Sequence, residues 1–275
     1  MGPEKIFELL IIVLYFSGAV LFLGGLVLRS TVFRRWAMRL AGAGFGLHSV
    51  DIGLMVVGLG HENFTQAQFH FSLMAWLFLA VFFFLCWRLK IEFLSLAAAP
   101  LALILFTSSL AVSDIKVPVP ETLSSLWFGL HVGSLFISMA LLALACGAGM
   151  CYLYLERRIK TKAGIKGFAQ DLPSLSVFDK ANHWAVMAGF PLYTAGMLSG
   201  FIWAAFTWKQ VFSWDPKELI SIVIWSVYGY LFHQRLILGW QGRKPAKIVI
   251  WLFVLTILSM TIINLMMPTH HSLRP

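Results

Sequence analysis

Ser124-Ser-Leu-Trp-Phe-Gly-Leu-His131-Val-Gly-Ser-Leu-Phe-Ile-Ser-Met-Ala140-Leu-Leu-Ala-Leu-Ala-Cys146-Gly-Ala-Gly-Met-Cys151-Tyr-Leu-Tyr-Leu155 decides the fold class. No Asp, Glu, Lys or Arg interrupts it, and a helix needs only ~20 apolar residues to span a bilayer core. The stretch exceeds one crossing, so its helix must tilt or project from the membrane. Seven comparable runs lie at roughly 6–28, 37–60, 70–87, 91–112, 183–207, 218–239 and 247–267. They are continuous, unlike the ~10-residue alternating segments of a membrane barrel, so they select helices. The 275-residue chain is 59% hydrophobic and 12% charged, with mean hydropathy +0.82. A soluble domain cannot cover that much apolar surface. The expected fold is all-α: one polytopic integral-membrane domain over 1–275 with about eight transmembrane helices. The first run lacks a small-residue cleavage site after its apolar core, which reads as a retained helix and not a signal peptide.

Basic residues set the expected orientation. Arg29, Arg34, Arg35, Arg39, Arg88, Lys90, Arg157, Arg158, Lys160, Lys162, Lys166, Lys180, Arg235, Arg243, Lys244 and Lys247 fall on one side of the eight spans, sixteen of the 21 Lys and Arg residues. Lys5, Lys116, Lys209, Lys217 and Arg274 fall on the other. The positive-inside rule makes the first side cytoplasmic and puts both termini outside. The expected location is a bacterial-type inner membrane, multi-pass. The net charge of +9 then reports topology and anionic lipid. The chain carries no zinc-finger, RNA-binding or P-loop pattern that would point to nucleic acid instead. Cys86, Cys146 and Cys151 include no Cys-x-x-Cys pair, which argues against a thiol–disulfide carrier.

This orientation puts His131, His271 and the segment Trp203-Ala-Ala-Phe-Thr-Trp208-Lys-Gln-Val-Phe212-Ser-Trp214-Asp215-Pro216-Lys217-Glu218 on one, external face. Aromatic planes between two imidazoles suit a large planar metallocycle, of which haem is the obvious example. The segment has plainer readings too. An aromatic belt is common where helices cross headgroups. Asp215, Pro216 and Glu218 stand at the N-cap, N1 and N3 positions of a helix start with a capping box. Taken singly, His131 and His271 also read as interfacial polar residues. His270 is the alternative to His271, since adjacent histidines are not separable by sequence.

The segment resembles the tryptophan-rich WWD motif of the cytochrome c assembly family, the CcsA/ResC, CcmC/CcmF and HemX-like haem-handling membrane proteins. The family pattern runs Trp-Gly-x-x-Trp-x-Trp-Asp-Pro-Lys-Glu; Trp208, Trp214, Asp215, Pro216, Lys217 and Glu218 match in register, while Lys209 replaces the glycine and Phe212 the middle tryptophan. Leu231-Phe-His233-Gln-Arg235, then Gly239-Trp240-Gln-Gly242-Arg243 and Pro268-Thr-His270-His271-Ser272, are similar to further family runs. The resemblance is strong over about 125–275. It implies that Trp203, Trp208, Phe212, Trp214 and Asp215 hold a non-covalent b-type haem with His131 and His271 as iron ligands. It also implies delivery to an apocytochrome c with a ResB-like membrane partner. The chain offers no soluble outer domain to grip a protein.

His233 is implied by the same resemblance as a ligand for haem inside the membrane. His48 has no such support, but it lies roughly 20 Å below the outer end of its span, close to level with His233 at roughly 22 Å. Ionisable groups so deep are functional candidates. The plainer readings are a His48–Asp51 hydrogen bond one turn apart and a snorkelling His233 near Arg235. Two other functions remain open at this stage. One is a HemX-like regulator of haem synthesis; the other is a small-solute transporter or structural membrane protein without haem.

Overall fold

The structure is a computed structural model that describes residues 3–28, 30–58, 67–89, 95–111, 129–162, 167–170, 172–210, 212 and 214–266. Eight α-helices follow in order among the described residues: α1 Pro3–Val27, α2 Thr31–Gly58, α3 Ala67–Leu89, α4 Ser95–Ala111, α5 Ser134–Lys160, α6 Leu175–Trp208, α7 Pro216–Leu236 and α8 Arg243–Met266. One wide π turn, Gly129–Gly133, precedes α5, and a 3-10 turn, Gly167–Gln170, precedes α6. No strand occurs among the described residues. Each of the eight apolar runs coincides with one of these helices over most of its described residues.

The boundaries differ most at two places. α2 begins at Thr31 and takes in Arg34, Arg35, Trp36 and Arg39, while α6 begins at Leu175 with Asp179, Lys180 and Asn182 in its first turns. Polar residues break an apolar window but not a helix, whose backbone hydrogen bonds continue through the headgroup region.

Among the described residues, four helical stretches are long and apolar enough by themselves to cross a membrane: Lys5–Gly25, Thr31–Val57, Leu130–Lys160 and Leu175–Phe206. α1 shows why water is the wrong solvent. Ile11, Tyr15, Ala19 and Phe22 are buried on one face, while Ile6, Leu9, Val13, Phe16, Val20 and Leu23 on the other are each about half exposed. A helix apolar all round needs lipid or protein on every side. The protein is a multi-pass membrane protein.

The chain divides into two compact units, Met1–Val119 and Pro120–Pro275. In the first, α1 packs on α2 and α4, and α3 on α2 and α4. Gly18 lets the α2 backbone approach, since a Cβ there would stand 3.3 Å from the Ala37 carbonyl oxygen. Tyr15, Leu79, Phe82 and Phe106 form its core. In the second, α5 packs between α6 and α8, and α7 packs on α6 and α8. Leu142, Phe178, Val186, Tyr228, Leu231, Val249 and Leu252 are buried there.

Candidate functional site

His131 lies in the π turn ahead of α5, against α6. Its Nδ1 is 2.8 Å from the carbonyl oxygen of Gly196. A carbonyl only accepts, so Nδ1 carries the proton and Nε2 keeps the lone pair. That is the tautomer a metal-binding imidazole uses, its other nitrogen donating to a backbone carbonyl. Ser199 Oγ donates to the same carbonyl at 2.9 Å. The ring is half-buried, and its centroid is 6.3 Å from that of Trp203 at an interplanar angle of 40°. Gly196, Gly200 and Trp203 are spaced i, i+4 and i+7, so they form one stripe of α6 facing the histidine.

The aromatic segment is divided between two faces. Phe212 packs on Phe201 (6.2 Å) and edge-on to Trp214 (5.1 Å, 74°). Phe201 and Trp203 are two residues apart, hence roughly 200° apart around α6. Trp203 therefore accompanies His131, while Phe212 and Trp214 gather about Phe201. Among the described residues the ring contacts join Trp203 to His131, and Phe212 to Phe201 and Trp214. Of Trp208 only the backbone is described, as the last residue of α6. Its side chain, His61, His270 and His271 lie outside the described residues.

The segment's ends are set by local chemistry. Lys209 caps α6 in the left-handed region, φ +57°, the conformation in which helices most often end on glycine. The glycine of the family pattern at this position thus has a backbone reason, and lysine meets the same demand at a steric cost. Trp214 is left-handed as well, φ +59°, with its ring 74% exposed. Asp215 is the N-cap of α7, accepting from the Lys217 amide at 2.8 Å, and Pro216 follows at the first helical position. The capping role read from the sequence is present.

The two deeper histidines differ in kind. His48 is fully buried, with the Tyr15 hydroxyl 3.0 Å from Nδ1 and Ser72 Oγ 2.9 Å from Nε2. Its partners are on neighbouring helices, and neither is Asp51. Both nitrogens are engaged, so metal binding there would break one of these bonds. His233 is exposed on α7, and its ring has no hydrogen-bond partner among the described residues.

Arg235, counted in the sequence among the topology-setting charges, turns inward. It is 3% exposed, with Nη2 3.1 Å from Asp179 and also bonded to Asn182 Oδ1. Asn182 donates to the Ala145 carbonyl at 3.0 Å, and the Gly242 amide donates to Asp179 at 2.8 Å. This network ties α5, α6, α7 and the α7–α8 turn together. A cleft of about 650 Å³ opens beside it, lined by Tyr152, Ser176, Asp179, His183, Arg235 and Trp240 among others. It lies at the opposite end of α6 from Trp203 and includes none of the residues around His131. No group of three His, Cys, Asp or Glu placed to hold a bare metal ion occurs among the described residues. Sequence reading missed the network and the glycine face; Gly196-x3-Gly200 on an apolar helix was the available signal.

These features define a multi-pass α-helical membrane protein with a tautomer-fixed imidazole at a helix crossing. Residues 66–271 match the family described as cytochrome C assembly protein, so the match begins well before the region that carries the tryptophan motif. The chain is 27% identical over 266 residues to the cytochrome c biogenesis protein CcsA of Chlorella vulgaris, covering 85% of this chain and 84% of that protein. It is 30% identical over 178 residues to the CcsA of Synechococcus sp. (strain CC9902), covering 56% and 59% of the two chains. The CcsA of Chlamydomonas reinhardtii is 36% identical over 132 residues, 48% of this chain and 36% of that protein. The chain belongs to the cytochrome c assembly protein family.

Proposed function

We propose that this protein works in cytochrome c biogenesis by binding a non-covalent, b-type haem and presenting it on the external face of the membrane, the periplasmic side of a bacterial-type inner membrane. One observation carries the reading: the Nδ1–H of His131 is committed to Gly196, so Nε2 is free to meet iron beside Trp203. These residues fit haem, because an axial imidazole with its second nitrogen on a carbonyl is held in tautomer and orientation before the ligand arrives. His271, with His270 as its alternate, would hold the iron together with His131. Two imidazoles on the iron would leave it no open site for oxygen while the haem is in transit. Trp203 contacts the haem near His131. Trp208, Phe212 and the exposed Trp214 form its outer contacts, and Asp215 holds their segment in register by starting α7.

An apocytochrome c bearing a reduced Cys-x-x-Cys-His takes the haem covalently, aided by a ResB-like membrane partner. His233, whose ring is unengaged among the described residues, marks a lower haem position on the way. The two bonds on His48 favour a packing role for it. The 16-to-5 distribution of basic residues supports the orientation.

A complementation experiment tests the reading. A strain lacking the protein should lose covalent haem on its c-type cytochromes and regain it with the wild-type gene but not with His131→Ala. Normal cytochromes in the deletion strain, with an altered level of the first enzyme of tetrapyrrole synthesis, would replace this function with regulation of haem synthesis.

A further inference from the structure

We propose that Gly196 and Gly200 of α6 are positioning residues that fix the tautomer and place of His131, so that Nε2 is the nitrogen offered to iron. The inference rests on the haem reading above and adds to it a set of residues outside the tryptophan motif. Gly196 acts through its carbonyl, which accepts from Nδ1 at 2.8 Å. Gly200 acts through the absence of a side chain. A Cβ built there would stand 2.6 Å from His131 Cε1 and 2.8 Å from Nδ1, well inside contact distance. The imidazole lies on bare helix backbone, and this is what lets Nδ1 reach a carbonyl one turn away. Gly196 needs its own missing side chain too, because a Cβ there would meet Leu135 Cγ at 2.6 Å and Ser134 Oγ at 2.7 Å. Both substitutions would push the π turn and the start of α5 off α6, which is why two glycines are spaced one turn apart here. Gly147 on α5 has open space around its Cα and serves as the control.

The test compares Gly200→Ala, His131→Ala, the double variant and Gly147→Ala in the full-length purified protein. Haem retention is read from the Soret band, spin state by electron paramagnetic resonance, and the His131 tautomer by ¹⁵N resonance of histidine-labelled protein. Gly200→Ala should weaken haem retention on the order of 10-fold to 100-fold, the usual effect of losing a group that orients a metal ligand. It should convert low-spin to high-spin iron and abolish the Nδ1-protonated signal, while Gly147→Ala changes none of these. The double variant should match His131→Ala, since without the ring the alanine has nothing to displace. If Gly200→Ala alone fails to fold, the double variant should still fold, for the same reason.

Full haem retention in Gly200→Ala, or a double variant worse than both singles by the product of their losses, would overturn the proposal. Wild-type protein that shows the Nδ1-protonated His131 but never holds haem would support the positioning and overturn the function it serves.

Discussion

Replacing Asp179 with alanine removes the carboxylate from a buried guanidinium, and the cost follows from the geometry. The Arg235 side chain is 1% exposed and 3.1 Å from Asp179, whose own side chain is 16% exposed. Removing one partner of a buried ion pair costs about 3–5 kcal/mol, because the remaining charge stays desolvated. Asp179 borders a cleft that admits water, which favours the lower end. Asn182 and the Trp240 carbonyl also remain as partners for Arg235. The Gly242 amide loses its acceptor as well, worth about 1 kcal/mol. The expected loss is about 3–4 kcal/mol in reversible unfolding from mixed micelles. Asp179→Ala combined with Arg235→Met should recover to within about 1 kcal/mol of wild type, because no lone charge is left inside. The spectrum of the haem at His131 should not change, since the network lies at the far end of α6 from Trp203. A single-variant loss under about 1 kcal/mol, or simple addition of the two variants' losses, would refute the view of this network as a mutually compensated buried pair.

Other outcomes follow from the tryptophan segment and its flanks. Lys209→Gly should stabilise the protein by about 0.5–1 kcal/mol in the same assay. It relieves a left-handed residue at about 1–2 kcal/mol against the greater unfolded-state freedom of glycine. Asp215→Ala should cost about 1 kcal/mol and Asp215→Asn almost nothing, because asparagine still accepts from the Lys217 amide. Trp214→Ala, at a ring 74% exposed, should leave unfolding within about 0.5 kcal/mol yet weaken haem binding by about 0.5–1.5 kcal/mol of lost ring contact. Reporters fused after Trp208 and Pro268 should register outside, and those at Lys162 and Arg243 inside. Trp208 and Lys162 on the same side would end the orientation argument.

Much of the fold is legible because the apolar runs are long and separated by charge. Helix existence could be read from hydropathy. The starts of α2 and α6 could not, because interfacial helix is polar. Asp215 was legible as a cap since capping is local, a matter of four consecutive residues. His131 was legible as a candidate but not its anchor, because the Gly196 carbonyl is 65 residues away and backbone groups leave no mark in sequence. The division of the aromatics was hidden by reading residues 203–218 as one surface, although helical periodicity already sets Phe201 and Trp203 on different faces. Arg235 misled for a different reason. A basic residue near a membrane boundary looks solvated, and only the approach of Asp179 and Asn182 from α6 makes its burial affordable.

The central claim, that His131 is an axial ligand, is tested most directly by the electronic and paramagnetic spectra of purified protein with single histidines replaced. Wild-type protein should give a low-spin, bis-histidine haem. His131→Ala should shift it toward five-coordinate or water-ligated high-spin iron with reduced retention, while His61→Ala leaves the spectrum unchanged. Equal loss of the low-spin signal from both variants, or from neither, would contradict the account.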